Sequence, residues 1–497
     1  MKVLFVASEV MPWSKTGGLA DVAGALPPAL AARGHEITVV SPLYKDLDPA
    51  APTPTSTGIF VPVEVAGDRL ILELFEAHGA GEGGGPLGRP TGGGRRAGAS
   101  KVRWLFLGNP SLYGRAGLYG TGGRDHPDNA LRFAALSFGA LEAMRALGLT
   151  SDIVHANDWQ TGPLAMRATL LRDGRPSPRT VFTIHNLAFQ GLFPPETLDR
   201  LGWPRSLLNL HELEFYGQLS FLKAGLVFAD ALTTVSQTYA REICAPEHGA
   251  GLDGLLRSRR DRLHGILNGI DTFEWDPRRD RHLPAHYQAE DLSGKARCKA
   301  ALQKEFGLPV DPTRPLFTSI SRFTPQKGFD LLVPSLDEAF LGRAQVAMLG
   351  SGDAAIQRAL EALQRAHPTS FAVRVGFDEA LAHRMEAGGD FFLMPSRFEP
   401  CGLNQLYSLR YGTIPIVRAT GGLVDTVEDA PADLATGTGF VFEEPTSAAL
   451  RATLDRALAA FGRPEALLAL RRRGMAKDFS WEVSSAQYER LYQSLLE

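Results

Sequence analysis

Lys15, Gly17, Gly18 and Asp21 stand close together in the stretch SKTGGLADV, just behind the apolar run VLFVA near the first residue. Successive glycines let backbone N–H groups approach an anion, and a helix opening there adds a favourable dipole. Lys15 would supply the positive charge. The spacing fits neither the dinucleotide fingerprint nor the Walker pattern, so a plain strand-to-helix turn is an equally open reading of this piece alone. In SRFTPQKGFD, Arg322 and Lys327 flank a turn closed by Gly328, an arrangement suited to gripping a diphosphate from two sides. In MPSRFEPCGLNQLYSLRYG, Glu399 precedes Pro400 at another strand end and CGLNQ opens a helix, with Cys401 reading as a small packed residue. HANDWQTG offers Asp158, and FTIHNLAFQG offers His185 and Asn186. Lone surface cations and a lone histidine after a strand are most often structural. What argues for a site is convergence, because every one of these pieces follows an apolar run.

Those runs are the elements that must do the positioning. VLFVA, ITVVS, DIVHA, VFTIH and ALTTV alternate with helical patterns in the first half, and PLFTSI, AQVAML, FAVRVG, DFFLMP and TIPIV do so in the second. This alternation predicts two doubly wound α/β domains, each binding ligand at the carboxyl edge of its sheet. The echo between TGGLADV at Thr16–Val22 and TGGLVDTV, with Thr420, Gly421 and Gly422, places one Gly-rich turn in each domain. Two such edges facing one another would form a cleft. The turn-rich stretch GILNGIDTFEWDPRRDRHLPAHY puts the connection near Leu267 to Asp271, giving domains over 1–267 and 268–480 and a terminal helix over 481–497. The Gly-rich piece from Ala77 to Ser100 is too poor in apolar residues to order itself and reads as a flexible surface loop.

Composition narrows the function classes. A chain of 497 residues exceeds one ordinary core, and its 44% hydrophobic and 22% charged residues are those of a globular protein. A net charge of −3 with scattered Lys and Arg predicts neither nucleic acid nor anionic membrane as a partner. Cys244, Cys298 and Cys401 are odd in number and far apart, which fits a reducing cytoplasm better than a disulfide framework. Glu9 interrupts the first apolar run too early for a signal peptide, and no run is long enough for a membrane span. HELEF at His211 lacks the second histidine of a zincin, and DLD at Asp46–Asp48 matches a metal triplet in letters only, so no catalytic metal is expected.

Taken together, SKTGGLADV, NPSLYGRAGLYG, HPDNALRF, VHANDWQTG, TIHNLAFQG, TTVSQTYAREI, GILNGID, SRFTPQKGFD, PSRFEPCGLNQLYSLRYGTIPIV and TGGLVDTVED resemble, in order, the bacterial glycogen and plant starch synthases. That family consists of retaining glycosyltransferases of the GT-B fold, in which two Rossmann-like domains face a deep interdomain cleft. The resemblance covers nearly the whole chain. It implies that glucose passes from ADP-glucose to the nonreducing 4-hydroxyl of an α-1,4-glucan such as glycogen, with no cofactor. By the same resemblance Lys15 and Gly18 meet the donor diphosphate from the first domain, with Gly17 in the substrate-binding set beside them, and Arg322 and Lys327 meet it from the second. Glu399 and the backbone of Cys401, Gly402 and Leu403 would hold the glucosyl hydroxyls. His185 and Asn186 would sit at the reacting face, Asp158, Asp21 and Asn268 would line the site, and Tyr113 would lie nearby. Thr420, Gly421 and Gly422 belong to the same substrate set.

Two departures stand out: the Gly-rich stretch before Ser100 is longer than the family's, and Phe377 in VGFDEALAHR occupies the place expected for a tyrosine near the base. A GT-B epimerase, a pyridoxal-dependent phosphorylase and a noncatalytic glucan binder are the competing classes. The phosphorylase needs a Schiff-base lysine and would release glucose 1-phosphate from glycogen and phosphate.

Overall fold

The computed structural model describes residues 1–65, 68–77, 102–170 and 177–497. The Gly-rich loop expected from the sequence lies, from residue 78 onward, outside the described residues. The chain divides into two compact units, the first taking Met1–Val235, Ala240–Gly269 and Trp481–Glu497 and the second taking Ser236–Tyr239 and Ile270–Ser480.

Among the described residues, the first unit is built on a sheet of nine strands. They are β1 (Lys2–Val6), β2 (Glu36–Pro42), β3 (Thr55–Val65), β4 (Asp68–Ala77), β5 (Val102–Gly108), β6 (Ile153–Asn157), β7 (Arg179–Ile184), β8 (Ala231–Thr234) and β9 (Leu263–Gly265). Their order is β9-β8-β7-β6-β1-β2-β5-β4-β3. The run from β9 to β5 is parallel, and β4 and β3 continue it antiparallel. Strands covered on both faces need continuous apolar runs, and Val3 to Val6 are all buried. The strand order reverses between β1 and β6, so the loops after these two strands leave the edge in opposite directions and open a crevice there.

Helix α1 (Gly18–Ala32) follows the loop after β1 and buries Val22, Leu26 and Leu30 in the core that contains Val3 and Phe5. The last helix, Trp481–Leu496, packs into this same core through Trp481, Tyr488, Leu491 and Tyr492. It is locked by the Tyr492 hydroxyl, 2.6 Å from His155 Nδ1. Burial pushes the His155 imidazole down to about 3, so the ring is neutral where it meets the tyrosine.

The second unit has six strands: β10 (Leu316–Ile320), β11 (Gln345–Gly350), β12 (Phe371–Val375), β13 (Phe391–Met394), β14 (Ile414–Arg418) and β15 (Phe440–Phe442). All pair in parallel in the order β12-β11-β10-β13-β14-β15, with the reversal between β10 and β13. Phe317 of β10 and Phe391 of β13 stack at 4.9 Å between centroids and hold these two strands together.

Candidate active site

In the first unit three loops leave the carboxyl edge side by side. The loop after β1 carries Glu9 to Gly17, Asp158 directly follows β6, and His185 directly follows β7. Glu9 Oε2 accepts from the Thr16 N–H at 2.5 Å and from the Thr16 hydroxyl at 2.8 Å, which bends the loop into the start of α1. Lys15 Nζ is 2.6 Å from Asp21 Oδ1, so both partly exposed groups are positioned at the mouth of the loop. Burial pushes the Glu9 carboxyl up to about 7, against the lowering pull of its Thr16 hydrogen bonds.

Asp158 has φ +56, a conformation that non-glycine residues rarely adopt and that costs ~1 to 3 kcal/mol. Its backbone N–H is tied to the Thr183 carbonyl at 2.9 Å, and its Oδ1 accepts from the His185 N–H at 2.8 Å. Burial pushes this carboxyl up to about 7 as well, opposed by the backbone of His185 and Asn186 and reinforced by the Glu9 charge. His185 Nε2 lies 3.0 Å from Asn157 Oδ1. Because Asn157 Nδ2 donates to the Val6 carbonyl at 3.0 Å, its oxygen must face the ring, and Nε2 must carry the proton. Burial pushes His185 down to about 3, so the ring is neutral with an unprotonated Nδ1.

Other members of the expected set fall into place differently. Asn186 Oδ1 caps its own turn by accepting from the Ala188 N–H at 3.1 Å. Asn268, beyond β9, is buried, and its Oδ1 has no hydrogen-bond partner among the described residues. Tyr113 does not reach a site surface. Its side chain is 0% exposed and its hydroxyl donates to the Arg132 carbonyl at 2.7 Å. Its ring packs edge-on to Tyr44, whose hydroxyl donates to the Ser8 carbonyl at 2.7 Å, so Tyr113 supports the floor beneath Glu9.

In the second unit the loops after β10, β13 and β14 meet. Lys327, from the first, places Nζ 2.6 Å from Glu399 Oε2, from the second. The Ser396 hydroxyl donates to the same oxygen at 2.9 Å. Both contacts fall on Oε2, which leaves Oε1 for another donor, although Glu399 is only 6% exposed. Arg322 is exposed just past β10.

The third loop is pressed against the Glu399 turn. The Gly422 N–H donates to the Glu399 carbonyl at 3.0 Å, and a Cβ on Gly421 would lie 2.0 Å from that same carbonyl. Gly421 also has φ +48, so both space and backbone demand glycine there. Thr420 is buried beside it, and Cys401 is a buried thiol in the same turn. Gly402, at φ +71, and Leu403 lead into the helix Asn404–Arg410. Phe377 follows β12 and is 76% exposed, so its ring has a bare face. Gly421→Ala is expected to displace the Glu399 turn and lower kcat at least tenfold while costing ~1 to 3 kcal/mol of stability by urea unfolding. Wild-type kcat in that variant would contradict the packing argument.

The sequence reading missed Glu9, Asn157 and Ser396. Glu9 had a signal: a carboxylate inside the mostly apolar VLFVASEV requires a buried partner. Asn157 and Ser396 lie inside stretches already singled out, but nothing in their spacing distinguishes them.

Two doubly wound sheets in one chain, the first parallel but for its β4–β3 edge and the second parallel throughout, each with polar loops gathered at its switch point, define a glycosyltransferase of the GT-B class. The starch synthase catalytic domain family matches residues 2–258, and the glycosyl transferases group 1 family matches residues 302–467. A glycogen synthase of Anaeromyxobacter dehalogenans is 54% identical, covering 100% of this chain and 99% of that protein. One from Myxococcus xanthus is 51% identical over 100% of both. Among solved structures, the catalytic domain of starch synthase IV from Arabidopsis thaliana, bound to ADP and acarbose, superposes with a TM-score of 0.88 at 31% identity over 99% of both chains. A sucrose-phosphate synthase from Thermosynechococcus elongatus shares the fold, with a TM-score of 0.59 at 17% identity, 99% of this chain and 98% of that one being covered. The chain belongs to the glycogen synthase and starch synthase family and is a hexosyltransferase.

Proposed function

We propose that this glycogen synthase family member transfers glucose from ADP-glucose to the nonreducing 4-hydroxyl of an α-1,4-glucan, with retention and without metal or other cofactor. The observation that carries the residue roles is the buried Glu399 carboxylate held by Lys327 at 2.6 Å, on loops from adjacent strands at the sheet's switch point. Breaking the bond from C1 to the phosphate oxygen leaves negative charge on the diphosphate and positive charge on the sugar ring. Lys327 and Arg322 stabilise the departing ADP. Glu399 faces the sugar, with Oε1 open to a glucosyl hydroxyl. The acceptor O4 forms the new bond to C1, its proton passes to a departing phosphate oxygen, and ADP leaves.

A double displacement would need a standing carboxylate nucleophile. Glu9 and Asp158 each accept a backbone N–H and titrate near 7, which suits a scaffold better than that role. His185 is neutral and presents Nδ1 as an acceptor for a substrate hydroxyl. Asn268 offers its unpartnered oxygen to the donor.

The adenine assignment is supported by the ADP in the 31% identical plant structure. The exposed Phe377 ring is the candidate stacking face. Among the described residues no helix is long and apolar enough to cross a membrane. With one glycogen acceptor, kcat/KM for ADP-glucose should exceed that for UDP-glucose at least about tenfold, a ratio that reports differential transition-state binding. Equal or reversed ratios would overturn the donor while leaving glucosyl transfer intact.

A further inference from the structure

We propose that Glu274, His282 and His383 form a Zn²⁺ site in the second unit, separate from the sugar-transfer residues and structural in role. One ligating atom from each of these three side chains lies within 4.8 Å of the other two. His383 sits on the helix Glu379–Gly388 and is 0% exposed, and its Nδ1 lies 2.7 Å from Asp280 Oδ2. A carboxylate accepts, so Nδ1 carries a proton and Nε2 is the ring nitrogen left to meet an ion. That Nε2 is buried with no hydrogen-bond partner among the described residues. A structural His383–Asp280 pair accounts for Nδ1 and leaves Nε2 unexplained, whereas a metal ion accounts for both.

The surroundings are those of a prepared ligand. Trp275 stacks on the His383 ring at 3.7 Å and 11° and fixes its plane. Asp280 also accepts the Tyr411 hydroxyl at 2.6 Å and the His282 N–H at 2.9 Å, so the carboxylate orienting His383 is itself held, as outer-shell partners of metal-bound histidines are. The His282 ring centroid is 4.8 Å from that of His383. A long contact of 3.4 Å from Arg281 Nε faces His282 Nε2, so the ion takes Nδ1 or displaces an exposed guanidinium. Two imidazoles and one carboxylate suit Zn²⁺ better than Mg²⁺ or Ca²⁺, which prefer all-oxygen shells. Ligand atoms of tetrahedral Zn²⁺ lie roughly 3.3 Å apart, given bonds of ~2.0 to 2.1 Å. The half-buried Glu274 and His282 must therefore close on the buried, fixed His383. Binding would staple the irregular segment 271–287 to the helix that carries His383.

The test uses the full chain after chelator treatment. Titration with Co²⁺ should give the visible absorption of a low-coordinate site at one ion per chain, bleached by Zn²⁺, and calorimetry should give the Zn²⁺ affinity. Glu274→Gln and His282→Ala should each weaken Zn²⁺ binding tenfold or more while leaving the melting temperature of the metal-free protein unchanged. Both side chains are half-buried, so these variants should fold even if His383→Ala does not. Turnover of the metal-free wild type should match that of the loaded protein. Absence of a stoichiometric ion, or binding that persists unchanged in both variants because the ion sits on the cysteines, would overturn the site. Turnover that vanished with the metal would overturn its structural role.

Discussion

Glu399→Gln should lower kcat by two to three decades, because one charge interaction made in the transition state is typically worth ~3 to 4 kcal/mol. Gln keeps the shape of the side chain and can still contact Ser396 and Lys327, which lie 2.9 and 2.6 Å from Oε2 in the parent. What it loses is the negative charge beside the sugar. It also leaves the Lys327 cation uncompensated, and an unneutralised ammonium binds a diphosphate at least as well as a paired one. The donor KM should therefore hold or fall while turnover collapses, the pattern of an interaction used after binding. Steady-state kinetics with ADP-glucose and glycogen separates the outcomes. A raised KM at near-normal kcat would make Glu399 a ground-state binding group, and normal values of both would remove it from the site.

Much of this arrangement was legible because it is local. Every functional loop follows an apolar run of strand length, and parallel strands place such loops on one edge whatever the strand order. VLFVA, DIVHA and VFTIH became β1, β6 and β7, adjacent in the sheet, which brings Lys15, Asp158 and His185 to the same edge of the first unit. The pairing of Lys327 with Glu399 was not legible. The two residues are 72 positions apart, and their contact depends on β10 lying next to β13, a neighbour relation that no local pattern encodes. The last helix shows the same limit, since its helical spacing is evident while its packing against β1 and α1 at the other end of the chain is not. Tyr113 was drawn towards the site by its motif, yet burial and the Arg132 carbonyl hold it in the floor. Glu9 was read only as the residue that interrupts an apolar run, although a carboxylate placed there needs a partner, which Thr16 supplies.

Lys327→Ala should damage both stability and turnover, and its coupling to Glu399→Gln tells the two effects apart. The side chains are 17% and 7% exposed, so removing the ammonium strands a carboxylate with only the Ser396 hydroxyl beside it. Breaking one partner out of a buried pair typically costs ~3 to 5 kcal/mol, and partial exposure of Lys327 puts the expected value at or below the low end, about 2 to 3 kcal/mol. Neutralising Glu399 in the same chain removes the stranded charge. The double variant should then unfold at a higher urea midpoint than Lys327→Ala alone, with a coupling energy of ~1 to 2 kcal/mol for residues in contact. Turnover should not recover with stability, because the double variant lacks both the cation at the leaving diphosphate and the charge at the sugar. Its kcat should be no better than that of Glu399→Gln. Strictly additive stability changes would show that the two groups do not form a pair in solution. Recovery of turnover alongside stability would show that Lys327 only holds Glu399 in place and never meets the diphosphate.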